Sequence, residues 1–100
     1  MKTTPKPPSH LSKESKRLWT DIVTEYIFDD AASLSVLQTA LEARDRLQEC
    51  RERINSEGLT VVDRFGQTRP HPLLSAERDA RSGVLQGFKM LGLDPGKAMS

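Results

Sequence analysis

Apolar positions recur at helical spacing in three stretches of the chain, and the residues between them are of the kinds that start and stop helices. Leu18, Trp19, Ile22, Val23 and Tyr26 fall within roughly 140° of a wheel that advances about 100° per residue. Ser12 stands before them as an N-cap. This spacing predicts a short helix over about residues 13–27. Asp29 and Asp30 follow as caps and favourable charges for a second helix, which meets no Pro or Gly until Gly58 and so covers about 31–57. Its apolar seam is Val36, Ala40, Ala43, Leu47, Cys50 and Ile54, with alternating steps of four and three residues. Leu34, Leu37 and Leu41 form a second apolar edge in the first half only. One end of this helix therefore needs two packing partners and the other needs one.

After Gly58 the pattern changes. Leu59-Thr60-Val61-Val62 is short and β-branched, Asp63-Arg64-Phe65-Gly66 is turn-like, and Gln67-Thr68-Arg69 can return, which predicts a small β-hairpin over about 59–69. Pro70 and Pro72 end it. A third helix follows over about 72–91, stopped by Gly92, with Leu93 placed for a Schellman contact. Its seam is Leu73, Ala76, Ala80, Val84, Gly87 and Leu91, and Leu74, Leu85 and Phe88 form a second edge. Small residues in the middle of both long seams permit close approach.

These elements add up to a mainly α fold: an elongated antiparallel helical hairpin with a short N-terminal helix and a small β-hairpin between the two long helices. At about 1.5 Å per residue the second helix is roughly 40 Å long, more than the roughly 34 Å width of a compact 100-residue globule. The chain is therefore expected to leave apolar seam for another copy, with Leu47, Cys50, Ile54, Leu85 and Phe88 as the interface of a homo-oligomer. Residues 1–10, with Pro5, Pro7 and Pro8, are expected to be a flexible basic arm, residues 11–93 a single helical domain, and residues 94–100 a frayed tail.

Composition narrows the function. Leu, Ile, Val and Phe make up 23 of 100 residues, just above the roughly 20% below which disorder is expected, so the core is thin. The single cysteine excludes an intrachain disulfide, and no run approaches the length of a membrane span. A soluble, cytosolic protein is expected. The net charge of +1 hides an uneven distribution: residues 1–17 net +4, residues 18–57 net −5 and residues 58–100 net +2. Lys13, Lys16 and Arg17 lie in the first turns of the first helix, where the macrodipole disfavours cations, and Lys6 precedes them. Such a cluster makes a phosphate-binding surface, assisted by free backbone N–H groups. On the residues alone it reads equally as solubilising charge beside a disordered arm. Arg64 and Arg69 form a second basic patch on the hairpin.

No catalytic constellation accompanies these charges. His10 and His71 have no metal-binding partner at the required spacing, and His71 is placed between prolines as a helix-entry residue. Cys50 lies on an apolar seam, and Trp19 and Tyr26 lie on a buried face. Arg44, Glu77 and Arg81 are expected to pair across helices or subunits. There is no Gly-rich phosphate loop on which an ATPase could rest.

Several segments in order then carry a resemblance: His10-Leu11-Ser12 with Trp19 and Tyr26, Ala43-Arg44-Asp45-Arg46, the hairpin from Gly58 to Gly66, Arg69-Pro70-His71-Pro72, Glu77-Arg78-Asp79-Ala80-Arg81, and Leu91-Gly92-Leu93. Over about residues 8–95 the chain resembles one branch of the small subunits of tailed-phage terminases. The resemblance implies a non-enzymatic packaging factor of the bacterial host's cytoplasm. It would assemble into a ring, bind double-stranded viral DNA at its packaging site and hand it to the large terminase subunit, which carries the ATPase and nuclease. No cofactor, metal, membrane or small-molecule substrate is implied. Lys6, Lys13, Lys16 and Arg17, with Arg64 and Arg69, are then the expected DNA contacts. Two other readings stand beside it: a helix-turn-helix regulator or antitoxin, against which the acidic second helix argues, and a helical scaffold that binds only protein.

Overall fold

Asp30 opens the longest element by accepting a hydrogen bond from the Ser33 N–H at 2.8 Å. With nothing to break it, α2 (Ala31–Glu57) runs to Gly58, whose N–H returns to the Ile54 carbonyl. In the computed structural model, which describes residues 4–93, α2 is the spine of the molecule. Against it lie α1 (Lys13–Tyr26) near one end and α3 (Leu73–Met90) along its length, with a hairpin of β1 (Thr60–Val62) and β2 (Thr68–Pro70) at the α2–α3 turn. The sequence-based boundaries agree with these to within two residues.

Side-chain size fixes how closely α2 and α3 pack. A Cβ on Gly87 would lie 2.7 Å from the Ala40 Cβ, so only glycine fits there, whereas a Cβ on Gly83 would meet the Ala43 Cβ at an ordinary 3.4 Å. This antiparallel register places Ala80 opposite Leu47 and continues toward Cys50 and Ile54. Leu47, Cys50 and Ile54 are accordingly buried within the single chain, together with Ala80, Val84 and Gly87 of α3. This corrects the expectation that these three α2 residues wait for another copy. Helical spacing marks a face as buried without saying what buries it, and here α3 does. Phe88 is likewise packed against the core around α1, so of the five expected interface residues only Leu85 remains exposed, at 63%.

The second apolar edge of α2 meets α1. Leu11, Trp19, Ile22, Val23, Leu37 and Leu41 form the main buried cluster, with Leu34, Phe88, Leu91 and Leu93 packed on it. Leu91 and Leu93 reach it because α3 ends in a Schellman motif: Gly92 has φ 73°, the Leu93 N–H donates to the Phe88 carbonyl at 2.9 Å, and the Gly92 N–H to Lys89 at 3.0 Å. Ile27, in the left-handed region at φ 54°, closes α1, and the flanking Tyr26 and Phe28 rings stack 5.9 Å apart.

The hairpin is tied down by His71. Its Nδ1 accepts the Leu73 N–H at 3.0 Å, so the hydrogen sits on Nε2, which donates to Glu57 Oε1 at 2.8 Å. Its backbone N–H also donates to the Leu59 carbonyl at 2.8 Å. One buried imidazole thus joins the end of α2, the hairpin and the first turn of α3, as befits a helix-entry residue. Strand pairing is Thr60 with Pro70, Val61 with Arg69 and Val62 with Thr68.

Extended residues before α1 are held rather than loose. The buried Trp19 indole N–H donates to the Pro5 carbonyl at 3.0 Å, and His10 Nε2 lies 2.6 Å from Glu42 Oε2. A buried indole needs an acceptor, and Pro5 supplies it. Residues 1–3 and the expected frayed tail, residues 94–100, lie outside the described residues. The whole is elongated, 63 × 28 × 21 Å with a radius of gyration of 16.9 Å, against about 13 Å for a compact chain of this length.

The seam makes a paired prediction. Gly87→Ala should destabilise by about 1–3 kcal/mol because the helices must separate. Gly83→Ala should be neutral or stabilise by up to about 1 kcal/mol through helix propensity. Thermal melts followed by circular dichroism measure both, and equal effects would contradict the observed register.

Candidate nucleic-acid interface

The N-terminus of α1 is occupied by a carboxylate from α2. Asp45 accepts from the Ser12 N–H at 2.8 Å, from the Ser12 hydroxyl at 2.6 Å and from the Ser15 hydroxyl at 2.6 Å. Ser12 Oγ accepts in turn from the Ser15 N–H at 3.1 Å, and Arg44 Nη1 donates to Ser15 Oγ at 3.2 Å. Ser15 is fully buried. Burial would raise the pKa of Asp45, but the hydrogen bonds from Ser12 and Ser15 and the charge of Arg44 outweigh it and hold the carboxyl below its ordinary 3.8. The helix-end N–H groups expected to meet phosphate thus already have an anion beside them, so any phosphate contact falls to the side chains.

Those side chains are the cations of α1. Lys6, Lys13 and Arg17 are exposed and Lys16 is half-buried. None of the four makes an ion pair among the described residues. Five arginines elsewhere contrast with them: Arg46 pairs with Glu49 at 3.3 Å, Arg53 with Glu57 at 2.7 Å, Arg69 with Asp63 at 3.1 Å, Arg78 with Asp79 at 3.8 Å and Arg81 with Glu77 at 3.6 Å, whereas Arg44, Arg51 and Arg64 also make no ion pair among the described residues. Glu77 and Arg81 pair along their own helix, not across helices, because i and i+4 neighbours already face each other.

Lys13 and Arg17, one helical turn apart, line an open cleft of about 450 Å³ between α1 and α2 together with Glu14, Leu18, Asp21 and Arg44. Lys6 and Lys16 stand outside it. Arg64 and Arg69 do not join this group, since they lie on the hairpin, and from Asp45 to Gly58 alone α2 rises about 20 Å. Their surroundings also differ. Arg69 bonds to Asp63 and to Gln67 Oε1, and the Arg64 guanidinium rests 5.0 Å from the centre of the Phe65 ring. Asp63 additionally accepts the Phe65 and Gln67 N–H groups, which shapes the turn.

The described residues contain no cluster of His, Cys, Asp or Glu able to hold a metal ion, and none of their helices is long and apolar enough to cross a membrane. A family model described as phage terminase, small subunit, matches residues 13–99. The chain belongs to that family. No curated protein and no solved structure matches it. Terminase small subunits take part in phage DNA packaging and are non-catalytic.

Within that small subunit, Arg44 is the cleft residue absent from the expected DNA contacts. Its position beside the α2 seam was visible in the sequence, but its approach to Lys13 and Arg17 depends on how α1 crosses α2. Asp45 carries no local signal in the sequence, because its partners lie 30 and 33 positions away.

Asp45 should therefore govern the α1–α2 joint. Its folded pKa is depressed, so its stabilisation is complete above the unfolded value and disappears as pH falls through the lower folded value, below about 3.8. Asp45→Asn is expected to cost about 1–3 kcal/mol at pH 7 and to lack that acid-dependent loss. Emission of Trp19, the single tryptophan, followed through urea unfolding at a series of pH values, measures both effects.

Proposed function

We propose that this terminase small subunit acts in the host cytoplasm as a homo-oligomeric ring that binds double-stranded viral DNA and delivers it to the large subunit. The DNA is held by the α1 end of each copy, through Lys6, Lys13, Lys16 and Arg17. The observation that carries this reading is that four cations without an ion pair among the described residues cluster in and just before the first turns of α1, whereas Arg51 and Arg64, which also lack one, stand apart from each other. Cations at a helix start cost stability in isolation, and a polyanion supplies what the chain does not. Repetition around a ring raises the combined affinity above that of one copy. Sequence preference then comes from DNA bending or from few base contacts.

Oligomerisation falls to the apolar surface that the single chain leaves open. Leu85 and Met90 on the outer face of α3, and Leu59, Val62 and Phe65 on the hairpin, are each at least 63% exposed. These two patches sit toward opposite ends of a 63 Å molecule. Contact between unlike patches of successive copies is the arrangement that closes rings.

Two measurements test the proposal. Binding to duplex DNA should weaken steeply with salt, and the triple replacement of Lys13, Lys16 and Arg17 by Ala should flatten the slope by about 0.9 per lost phosphate contact; an unchanged slope removes these residues from the interface. Light scattering should give a mass several times 11.2 kDa, reduced toward the monomer by Leu85→Asp, and a monomeric wild-type protein would contradict the ring.

A further inference from the structure

The α1–α2 cleft brings together three cations from two separate elements. Lys13 and Arg17 come from successive turns of α1, and Arg44 comes from the middle of α2. Arg44 differs in kind from the other two. It is half-buried, and its Nη1 is tethered to the Ser15 hydroxyl, which is fully buried and bonded to Asp45. A guanidinium has five N–H donors in a rigid planar fork. Only one of them has a hydrogen-bond partner among the described residues. Arg44 also makes no ion pair there, like Arg51 and unlike Arg46 and Arg53 of the same helix.

We propose that Lys13, Arg17 and Arg44 form a composite clamp for the phosphates of duplex DNA, with Arg44 as its preorganised member. This rests on the reading that the α1 end binds DNA, and it adds a residue and a geometry to it. The tether holds the guanidinium at the cleft before the ligand arrives, so less side-chain entropy is lost on binding. The free donors match phosphate oxygens two at a time. Glu14 and Asp21 also line the cleft, so its cations exceed its acids by one. On its other side Arg44 borders a groove of about 470 Å³ lined by Glu14, Asp45, Glu49 and Glu52. That acidic groove repels a polyanion, so the duplex lies on the Lys13 and Arg17 side of Arg44.

The test is Arg44→Gln in the full-length protein, with the anisotropy of a fluorescent duplex measured over a range of KCl concentrations. An unchanged Trp19 emission and melting curve show that the joint is intact. The expected result is binding about tenfold weaker at low salt, equally for duplexes of unrelated sequence, with the salt slope reduced by about one for each subunit engaged. Arg44→Lys keeps the charge but loses the fork, so it should retain the wild-type slope and lose affinity severalfold. It also serves if the Gln variant does not fold. A wild-type slope and affinity in Arg44→Gln, alongside a flattened slope in Lys13→Ala or Arg17→Ala, would overturn the clamp and leave the DNA reading standing. No duplex binding by the wild-type protein at low salt would overturn both.

Discussion

A helix exposes unpaired N–H groups at its start, and the positive end of its dipole favours an anion there. In α1 that requirement is met across space. The Asp45 carboxylate takes three hydrogen bonds from Ser12 and Ser15, and the position of α1 on α2 follows from it. The buried cluster of Trp19, Ile22 and Val23 against Leu37 and Leu41 supplies apolar adhesion, which is non-directional. Asp45 supplies the direction, since its three hydrogen bonds to Ser12 and Ser15 are directional. The cleft between the helices, and the cations that line it, are consequences of that placement.

The same device recurs at the C-terminal end of α2. Glu57 occupies a C-terminal turn where a base is favoured, yet its carboxylate accepts from His71, whose other ring nitrogen receives the Leu73 N–H at the start of α3. Glu57 also accepts from Arg53, and hydrogen bonds from Arg53 and His71 together hold its pKa below the ordinary 4.5. Each acid appears misplaced by the rules for its own helix and is accounted for by a neighbouring one. On the N-terminal side of both joints the α2–α3 seam is kept close by Gly87 against Ala40, and the paired helices separate the α1 cleft from the hairpin.

Local chemistry made most of this architecture legible. Ser12, Asp30, Gly58 and Gly92 each act on the few residues beside them, which is why helix limits, the hairpin and the Schellman close could be placed from sequence. The two-partner demand of the first half of α2 was also visible, in Leu34, Leu37 and Leu41. Information that depends on distant residues was not. Nothing near Ser12 announces Asp45, and nothing near Trp19 announces that Pro5 will accept its indole hydrogen. The seam at Leu47, Cys50 and Ile54 showed burial but not the identity of the partner, and a length argument assigned it to another copy when α3 covers it. At the candidate site, Lys13 and Arg17 could be found from charge placement alone. Arg44 could not, because its relevance arises where two helices cross.

Dependence on Asp45 also bears on the order in which the molecule is made. A 14-residue helix is marginal alone in water, and the first turns of α1 carry more cations than acids. The carboxylate that completes its start lies 30 positions beyond Ser15, which at about 5–20 residues per second corresponds to roughly 2–6 s of synthesis. Leu37 and Leu41, which cover its apolar face from α2, emerge shortly before Asp45, whereas Phe88, Leu91 and Leu93 come later still. The first helix to leave the ribosome therefore has its packing completed only by residues made after it, from α2 and then from the end of α3.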